Sequence, residues 1–302
     1  MLPEDEIGLS VLIPVYQRAV GELVRALLAQ ATSWPGPVEI LLFDDGSAEE
    51  LRQQNRPLAA LPAVRYHELP QNVGRAAIRN QLAKAARHEW LLLLDNDNRL
   101  PDMQFLARYA AARGHAAVLI GGTSYDTAPP ADAALYLRWL YGRAREARPA
   151  TARQAAPYAQ LTINNALIQA AVFQRFPLDE RLSGYGHEDT TFGTELAAAG
   201  ISVRHLDNPV IHDGLEPAAV FLARSEQAVR NLARVHRENG PDTNSRLLQT
   251  ARRLRWLGAA PLARRALGAA APALRRQLLS PRPSLRAFDL LKLHWLLREL
   301  AG

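Results

Sequence analysis

The sequence predicts an α/β fold, a mainly parallel central sheet with helices on both faces, followed by a helical C-terminal extension. Three observations carry this. Apolar runs of strand length recur at Leu9–Val15, Val38–Phe43, Val64–Leu69, Trp90–Leu94 and Ala117–Ile120. Segments with helical apolar spacing lie between several of them, which is the rhythm of strand–helix–strand units in a sheet covered on both faces. From Glu216 onward the pattern is helical only, interrupted at Gly240-Pro241, Pro261, Pro272 and Pro281-Arg282-Pro283.

Taken in order, Leu9–Val15 is a buried strand that Pro14 ends at its edge, because proline removes a ladder donor. A helix follows over about Val20–Gln30, stopped by Trp34-Pro35-Gly36-Pro37. Val38–Phe43 and Val64–Leu69 are the second and third strands. Gly74–Arg87 is a helix with Ala77, Ile78, Leu82 and Ala85 on one side. Trp90–Leu94 and Ala117–Ile120 are the next strands, with a helix opened at Pro101-Asp102 between them. Beyond Tyr125 the regularity fades. Leu135–Arg145 reads as helix, Leu161–Ile168 as strand, Glu188–Ala199 as a helix closed by Gly200, and Ile201–Leu206 as a short strand.

A chain of 302 residues, 48% apolar, supports a large α/β domain plus an extension and argues against disorder. The boundary is placed at Gly240, giving a body of 1–240 and a basic helical extension of 241–302. Cysteine is absent, so thiolate metal sites and disulfides are excluded. The acidic start Met1-Leu2-Pro3-Glu4-Asp5-Glu6 carries no signal-peptide pattern. No apolar stretch reaches the roughly 20 residues of a membrane span, and a cytoplasmic protein is expected. The net charge of +6 is uneven. From Arg246 onward twelve basic residues face only Asp289 and Glu299, so the tail is +10 and the remainder −4.

Four polar segments follow apolar runs or glycines. Asp44-Asp45-Gly46-Ser47 ends the second strand, where a carboxylate accepts hydrogen bonds from a base or ribose; a capped strand-to-helix turn explains the same residues. Asp95-Asn96-Asp97 ends the most apolar strand, and a cation between two carboxylates and a diphosphate relieves their repulsion. The bland alternative is a solvated turn. Glu188-Asp189 opens a helix after Gly184-Tyr185-Gly186-His187; acids there favour the helix dipole, and a carboxylate base on a Gly-hinged loop is the functional reading. His212, at the end of Pro209-Val210-Ile211, is a candidate third protein ligand for the cation, with His187 ranked below it. Imidazole beside carboxylates suits Mn²⁺ better than Mg²⁺. Arg75 and Arg79 open the helix after Asn72-Val73-Gly74, where an anion or base carbonyl fits; Arg79 is equally explained as part of a solvated face.

Together these motifs resemble family-2 glycosyltransferases of the GT-A fold. Ser10–Tyr16 resembles the opening strand of that family, Phe43-Asp44-Asp45-Gly46-Ser47 its nucleotide-binding turn, and Asn72–Asn80 the helix that follows. Asp95-Asn96-Asp97 resembles its Asp-x-Asp motif. Gly184–Asp189 is similar to the acceptor-side loop there and in galactosyltransferase-like relatives, although His187 stands where those often carry a small residue. The resemblance runs from about Leu9 to Gly214. It implies that Pro14, Tyr16, Asp45 and Arg75, with Asp95 and Asn96, surround the nucleotide and sugar. It further implies that Asp97 and His212, beside Asp95, hold a divalent metal, Mn²⁺ over Mg²⁺, on the diphosphate. Asp189 would be the catalytic base, and Glu188 would orient the acceptor. The implied reaction is inverting transfer of a hexosyl or N-acetylhexosaminyl group from a UDP-sugar to a glycan or lipid-linked hydroxyl, as in polysaccharide or cell-envelope biosynthesis.

Rival classes are weaker. A nucleotidyltransferase or dinucleotide oxidoreductase wants a Gly-rich loop after the first strand, and Pro14-Val15-Tyr16-Gln17-Arg18 is not one. An inactive nucleotide-sugar-binding scaffold would have no need of all four acidic motifs. The amphipathic Leu285–Leu300 has two readings: a helical cap packed on the catalytic domain, which is preferred, or peripheral contact with the inner face of a membrane. Nucleic-acid binding is set aside, because no stacking platform or reading motif accompanies the charge.

Overall fold

A computed structural model describes residues 7–180, 188–239 and 245–301. In chain order the elements are β1 (Leu9–Val15), α1 (Gly21–Leu28), β2 (Val38–Asp44), α2 (Glu49–Asn55), β3 (Val64–Glu68), α3 (Arg75–Ala85), β4 (Trp90–Leu94) and β5 (Asn98–Arg99). There follow α4 (Phe105–Ala112), β6 (Val118–Ile120), β7 (Thr123–Ser124), α5 (Tyr136–Tyr141), α6 (Ala150–Gln154), β8 (Asn165–Gln169), α7 (Ala170–Arg175) and α8 (Glu188–Ala198). The chain closes through β9 (Val203–His205), β10 (Val210–His212), α9 (Ala218–Asn239), α10 (Arg246–Trp256), α11 (Ala260–Leu278) and α12 (Leu285–Glu299).

Among the described residues, seven strands form one sheet in the order β3-β2-β1-β4-β8-β6-β9. The pairs β1/β2, β1/β4, β2/β3 and β6/β9 are parallel, while β8 runs antiparallel to both β4 and β6. Side chains alternate across the pleat. Leu9, Val11, Ile13 and Val15 of β1 therefore share one core with Val24 and Leu27 of α1 and Phe105 and Tyr109 of α4. Leu12 and Leu41 enter a second core with Ile78 and Leu82 of α3, Phe173 of α7 and Phe192 of α8. Helices on both faces are the expected result.

Several details depart from the sequence reading. Pro14 does not end β1, which is a central strand running on to Val15. Pairing with β4 stops at Leu12 while pairing with β2 continues to Val15, so the missing proline N–H falls where the β4 ladder has already closed. The strand expected over Leu161–Ile168 begins only at Asn165; Leu161 and Ile163 are buried from a loop. The helix expected over Leu135–Arg145 is α-helical only through Tyr141, then widens to a π turn over Gly142–Glu146.

The chain divides into two compact units at other points than Gly240. One holds residues 7–126, 146–180 and 188–214, and the other holds 127–145, 215–239 and 245–301. The physical reason is α9, whose Phe221, Leu222, Val229, Leu232 and Ala233 join Leu137 of α5 and the apolar residues of α10–α12 in a core of their own. In α12, Phe288, Leu291, Trp295, Leu296 and Leu297 are buried, so most of its apolar residues are taken up within the helical unit, while Leu290 stays exposed. No helix among the described residues is long and apolar enough to cross a membrane.

Candidate functional site

Parallel register brings the C-terminal ends of β1, β2 and β4 to one edge of the sheet, delivering Val15-Tyr16, Asp44-Asp45 and Asp95 together. The antiparallel β8 contributes its start to the same edge, because Asn165 pairs with Leu94. From β1 the chain winds outward through β2 and β3, then returns to the other side of β1 with β4. That reversal is the topological switch point at which open α/β sheets bind ligands.

The turn after β2 is held by its own carboxylates. Buried Asp44 accepts from the Ser47 N–H (2.7 Å) and lies 3.5 Å from the Arg52 guanidinium. Asp45 accepts from the backbone N–H groups of Val73 (2.7 Å) and Gly74 (3.3 Å), tying the turn to the loop ahead of α3. Burial pushes the Asp45 carboxyl above its ordinary value, and these two N–H bonds oppose the shift. Gly46 has φ +79°, and a Cβ there would lie 2.7 Å from the backbone nitrogen of Asn72. The glycine is thus required twice, by conformation and by approach. Gln17 also has a positive φ, 51°, and its N–H donates to Ser47 Oγ at 2.9 Å, bringing the end of β1 onto this turn. Tyr16 is exposed beside it, and its carbonyl accepts from Asn96 Nδ2 at 3.0 Å.

The two aspartates around Asn96 face different partners. Asp95 is held by guanidinium groups: Arg79 donates to its Oδ1, and Arg75 approaches its Oδ2 at 3.5 Å. Arg79 is only 4% exposed, and its second nitrogen donates to the Arg75 carbonyl (3.0 Å). The solvated-face reading of Arg79 is therefore wrong; it is a buried positioning group. The signal available in the sequence was its four-residue spacing from Arg75, which puts both guanidinium groups on one face of α3.

Asp97 faces His212. Its Oδ1 lies 3.6 Å from His212 Nδ1, and that buried oxygen has no hydrogen-bond partner. A three-stranded sheet in the order β5-β10-β7 makes the pairing, with Asn98 opposite His212. The Asp213 N–H donates to the Asp97 carbonyl (2.8 Å), and Arg18 reaches the Asp213 carbonyl (3.3 Å) and carboxylate (3.4 Å). A Cβ on Gly214 would sit 2.3 Å from Asp97 Oδ2, so the chain passes here only as glycine. Tyr125 packs against the His212 ring (centroids 5.4 Å apart) and donates its hydroxyl to Glu146. Burial works to raise the Asp97 carboxyl, but His212, Arg18 and Arg75 outweigh it and hold it below the usual carboxylate range. Sequence reasoning missed Arg18, Tyr125 and Gly214.

An orphaned carboxylate oxygen facing an imidazole nitrogen is a fitting donor set for a divalent cation. Among the described residues no group of three such side chains forms, so any remaining positions would fall to diphosphate oxygens and water. Of the expected cation set, Asp97 and His212 are brought together and Asp95 is engaged by arginines. Asn164 also reaches this edge: its carbonyl accepts from the Asp95 N–H (3.2 Å) and Asn98 Nδ2 (2.8 Å), and its Nδ2 donates to Thr123 Oγ1 (2.8 Å).

Asp189 stands, half-buried, on the first turn of α8, after Glu188. Phe192 and Leu196 anchor that helix in the second core. A Cβ on Gly193 would lie 2.4 Å from the Tyr158 carbonyl, so the helix is closely seated. The expected hinge residues Gly184, Tyr185, Gly186 and His187 lie outside the described residues.

Comparisons with known proteins bear on the family and the fold. The family model described as "Glycosyl transferase family 2" matches residues 10–166. The dodecaprenyl-phosphate galacturonate synthase of Rhizobium johnstonii is 29% identical over 99 residues, covering 32% of this chain but only 29% of that protein's length. The mannosyltransferase PcManGT from Pyrobaculum calidifontis, solved in complex with GDP-Man and Mn²⁺, shares the fold with a TM-score of 0.57 at 18% identity, over 99% of this chain and 87% of that one. Residues 1–349 of S. aureus TarS give a TM-score of 0.52 at 19% identity, over 95% and 89% of the two chains. The sheet is thus GT-A-like, and with the family model spanning the whole switch-point edge, this chain belongs to glycosyl transferase family 2 and is a glycosyltransferase.

Proposed function

We propose that the enzyme transfers a hexosyl or N-acetylhexosaminyl group, with inversion, from a UDP-sugar to a hydroxyl of a glycan or lipid-linked acceptor. The observation that carries this is the half-buried Asp97–His212 pair, with the enclosed and orphaned Asp97 Oδ1, at the switch point. The fold-sharing mannosyltransferase was solved with GDP-Man and Mn²⁺, and TarS also in complex with UDP, which supports a nucleoside-diphosphate sugar here. In this reading Asp97 and His212 hold a divalent cation, Mn²⁺ in preference to Mg²⁺. When bound, that cation supplies charge stabilisation for the departing diphosphate.

The chain's own residues do the rest. Asp45 fixes the Val73-Gly74 loop while Pro14, Tyr16 and Asn96 shape the nucleotide's bed. Arg79 and Arg75 hold Asp95 in one orientation toward the ribose or sugar. Asp189 takes the proton from the acceptor hydroxyl as it attacks the anomeric carbon, and Glu188 orients that hydroxyl. A cell-envelope or polysaccharide product, made at the inner face of a membrane, fits such acceptors.

The test is turnover of UDP-sugars with Mn²⁺ present or chelated. Asp97→Ala should lower kcat by about 10²–10³-fold, the range seen when one charge-stabilising group is removed. Retained turnover in that variant, or release of pyrophosphate from nucleoside triphosphates instead, would overturn the reading.

A further inference from the structure

The helical unit has a complete core of its own, yet it sets three large apolar side chains in water at one turn. Trp256 is 86% exposed, Leu257 65% and Leu262 73%. All three flank the reversal from α10 to α11. Gly258, at φ +67°, makes that reversal, and Pro261 stands in the first turn of α11. The turn is tied by backbone bonds, Leu257 N–H to the Arg253 carbonyl (3.0 Å) and Ala259 N–H to the Leu254 carbonyl (2.9 Å). It is a formed projection with an apolar tip. Elsewhere the same helices turn Leu248, Ala251 and Leu278 inward.

Along the chain, the charge on either side of the tip has one sign. From Arg246 through Phe288 the chain carries ten arginines and no acidic residue. Arg252, Arg253 and Arg255 on α10 and Arg264 and Arg265 on α11 are exposed on either side of the turn. Arg255 and Arg264 also line a cavity of about 170 Å³ with Ala260, Pro261 and Leu297, a recess beside the tip.

We infer that the α10–α11 turn is a docking surface for an anionic lipid bilayer. Trp256, Leu257 and Leu262 enter the interface, while the arginines meet lipid phosphates, one of them in the Arg255–Arg264 recess. A tryptophan beside aliphatic side chains, ringed by arginine, matches the boundary between headgroups and acyl chains. The occupant is chosen by charge and shape. A second copy pairing the same face would set arginine against arginine. A nucleic acid would use the arginines but has no use for two exposed leucines at the apex. Helix α12, the segment whose sequence pattern suggested membrane contact, has most of its apolar residues in the unit's core, with Leu290 alone of its large apolar side chains exposed, and offers no comparable apolar cluster.

The experiment is co-sedimentation of the full chain with vesicles of phosphatidylcholine alone or mixed with phosphatidylglycerol, at low and high salt. Binding is expected to the anionic vesicles, weakening with salt. The triple variant Trp256→Ser, Leu257→Ser, Leu262→Ser should lower the partition coefficient at least about tenfold. Arg255→Glu with Arg264→Glu should lower it by a similar factor. Every altered side chain is solvent-exposed, so the substitutions spare the core, and an unchanged melting temperature shows that each variant is folded. Equal partition of wild type and triple variant overturns the inference. So does capture of an oligonucleotide that the serine variants retain and the glutamate variants lose, with no vesicle binding. A dimer that the serine variants abolish, again without vesicle binding, overturns it too. Sugar transfer is not the readout, so failure here leaves the glycosyltransferase reading untouched.

Discussion

Asp189→Asn should lower kcat for sugar transfer by about 10²–10⁴-fold, the usual contribution of a general base. The substitution keeps the size and one acceptor oxygen, and removes the negative charge together with the ability to take a proton. The affinity for UDP with Mn²⁺ should therefore stay near that of the wild type, since Asp189 stands on α8 and the nucleotide's proposed contacts come from β1, β2, α3 and the residues after β4. Steady-state kinetics alongside UDP titration separate the two quantities. A variant that keeps its kcat, or one that fails because UDP no longer binds, would remove Asp189 from the role of base.

The second large effect is on stability. Arg79→Met leaves the carboxylate of Asp95 without its nearest guanidinium in a mostly buried place. Breaking such a pair costs about 3–5 kcal/mol when the partner is fully enclosed. Asp95 keeps some exposure and Arg75 at 3.5 Å, so a loss near 3 kcal/mol in urea unfolding is expected. Adding Asp95→Asn should recover much of it, because the stranded charge is then gone. A loss below about 1 kcal/mol, within the range of an exposed pair, would show that the two groups do not depend on each other.

The legible parts of the fold were those where burial writes itself into composition. Trp90–Leu94 is five apolar residues and appears as β4 with those ends, because both faces of a central strand are covered. The antiparallel sense of β8 was hidden, since a strand's residues do not encode its direction. Strands β5 and β7, two residues each, carry no period at all, yet they and β10 bring Asn98 opposite His212. The candidate site was legible as a set of segments, and its pairings were not. Asp95 and Asp97 look equivalent in sequence, but the pleat and the turn send one to α3 and the other to β10. Arg79 looked like a solvated charge because a helix of mixed polarity does not announce which arginine it buries.

The account rests on one pair of side chains, and anomalous diffraction at the manganese edge tests it most directly. Crystals grown with UDP and Mn²⁺ should show a single strong peak within coordination distance of both the Asp97 carboxylate and the His212 imidazole, touching diphosphate oxygens. A peak held by other residues, or UDP bound at this edge with the pair left bare, would contradict the proposal.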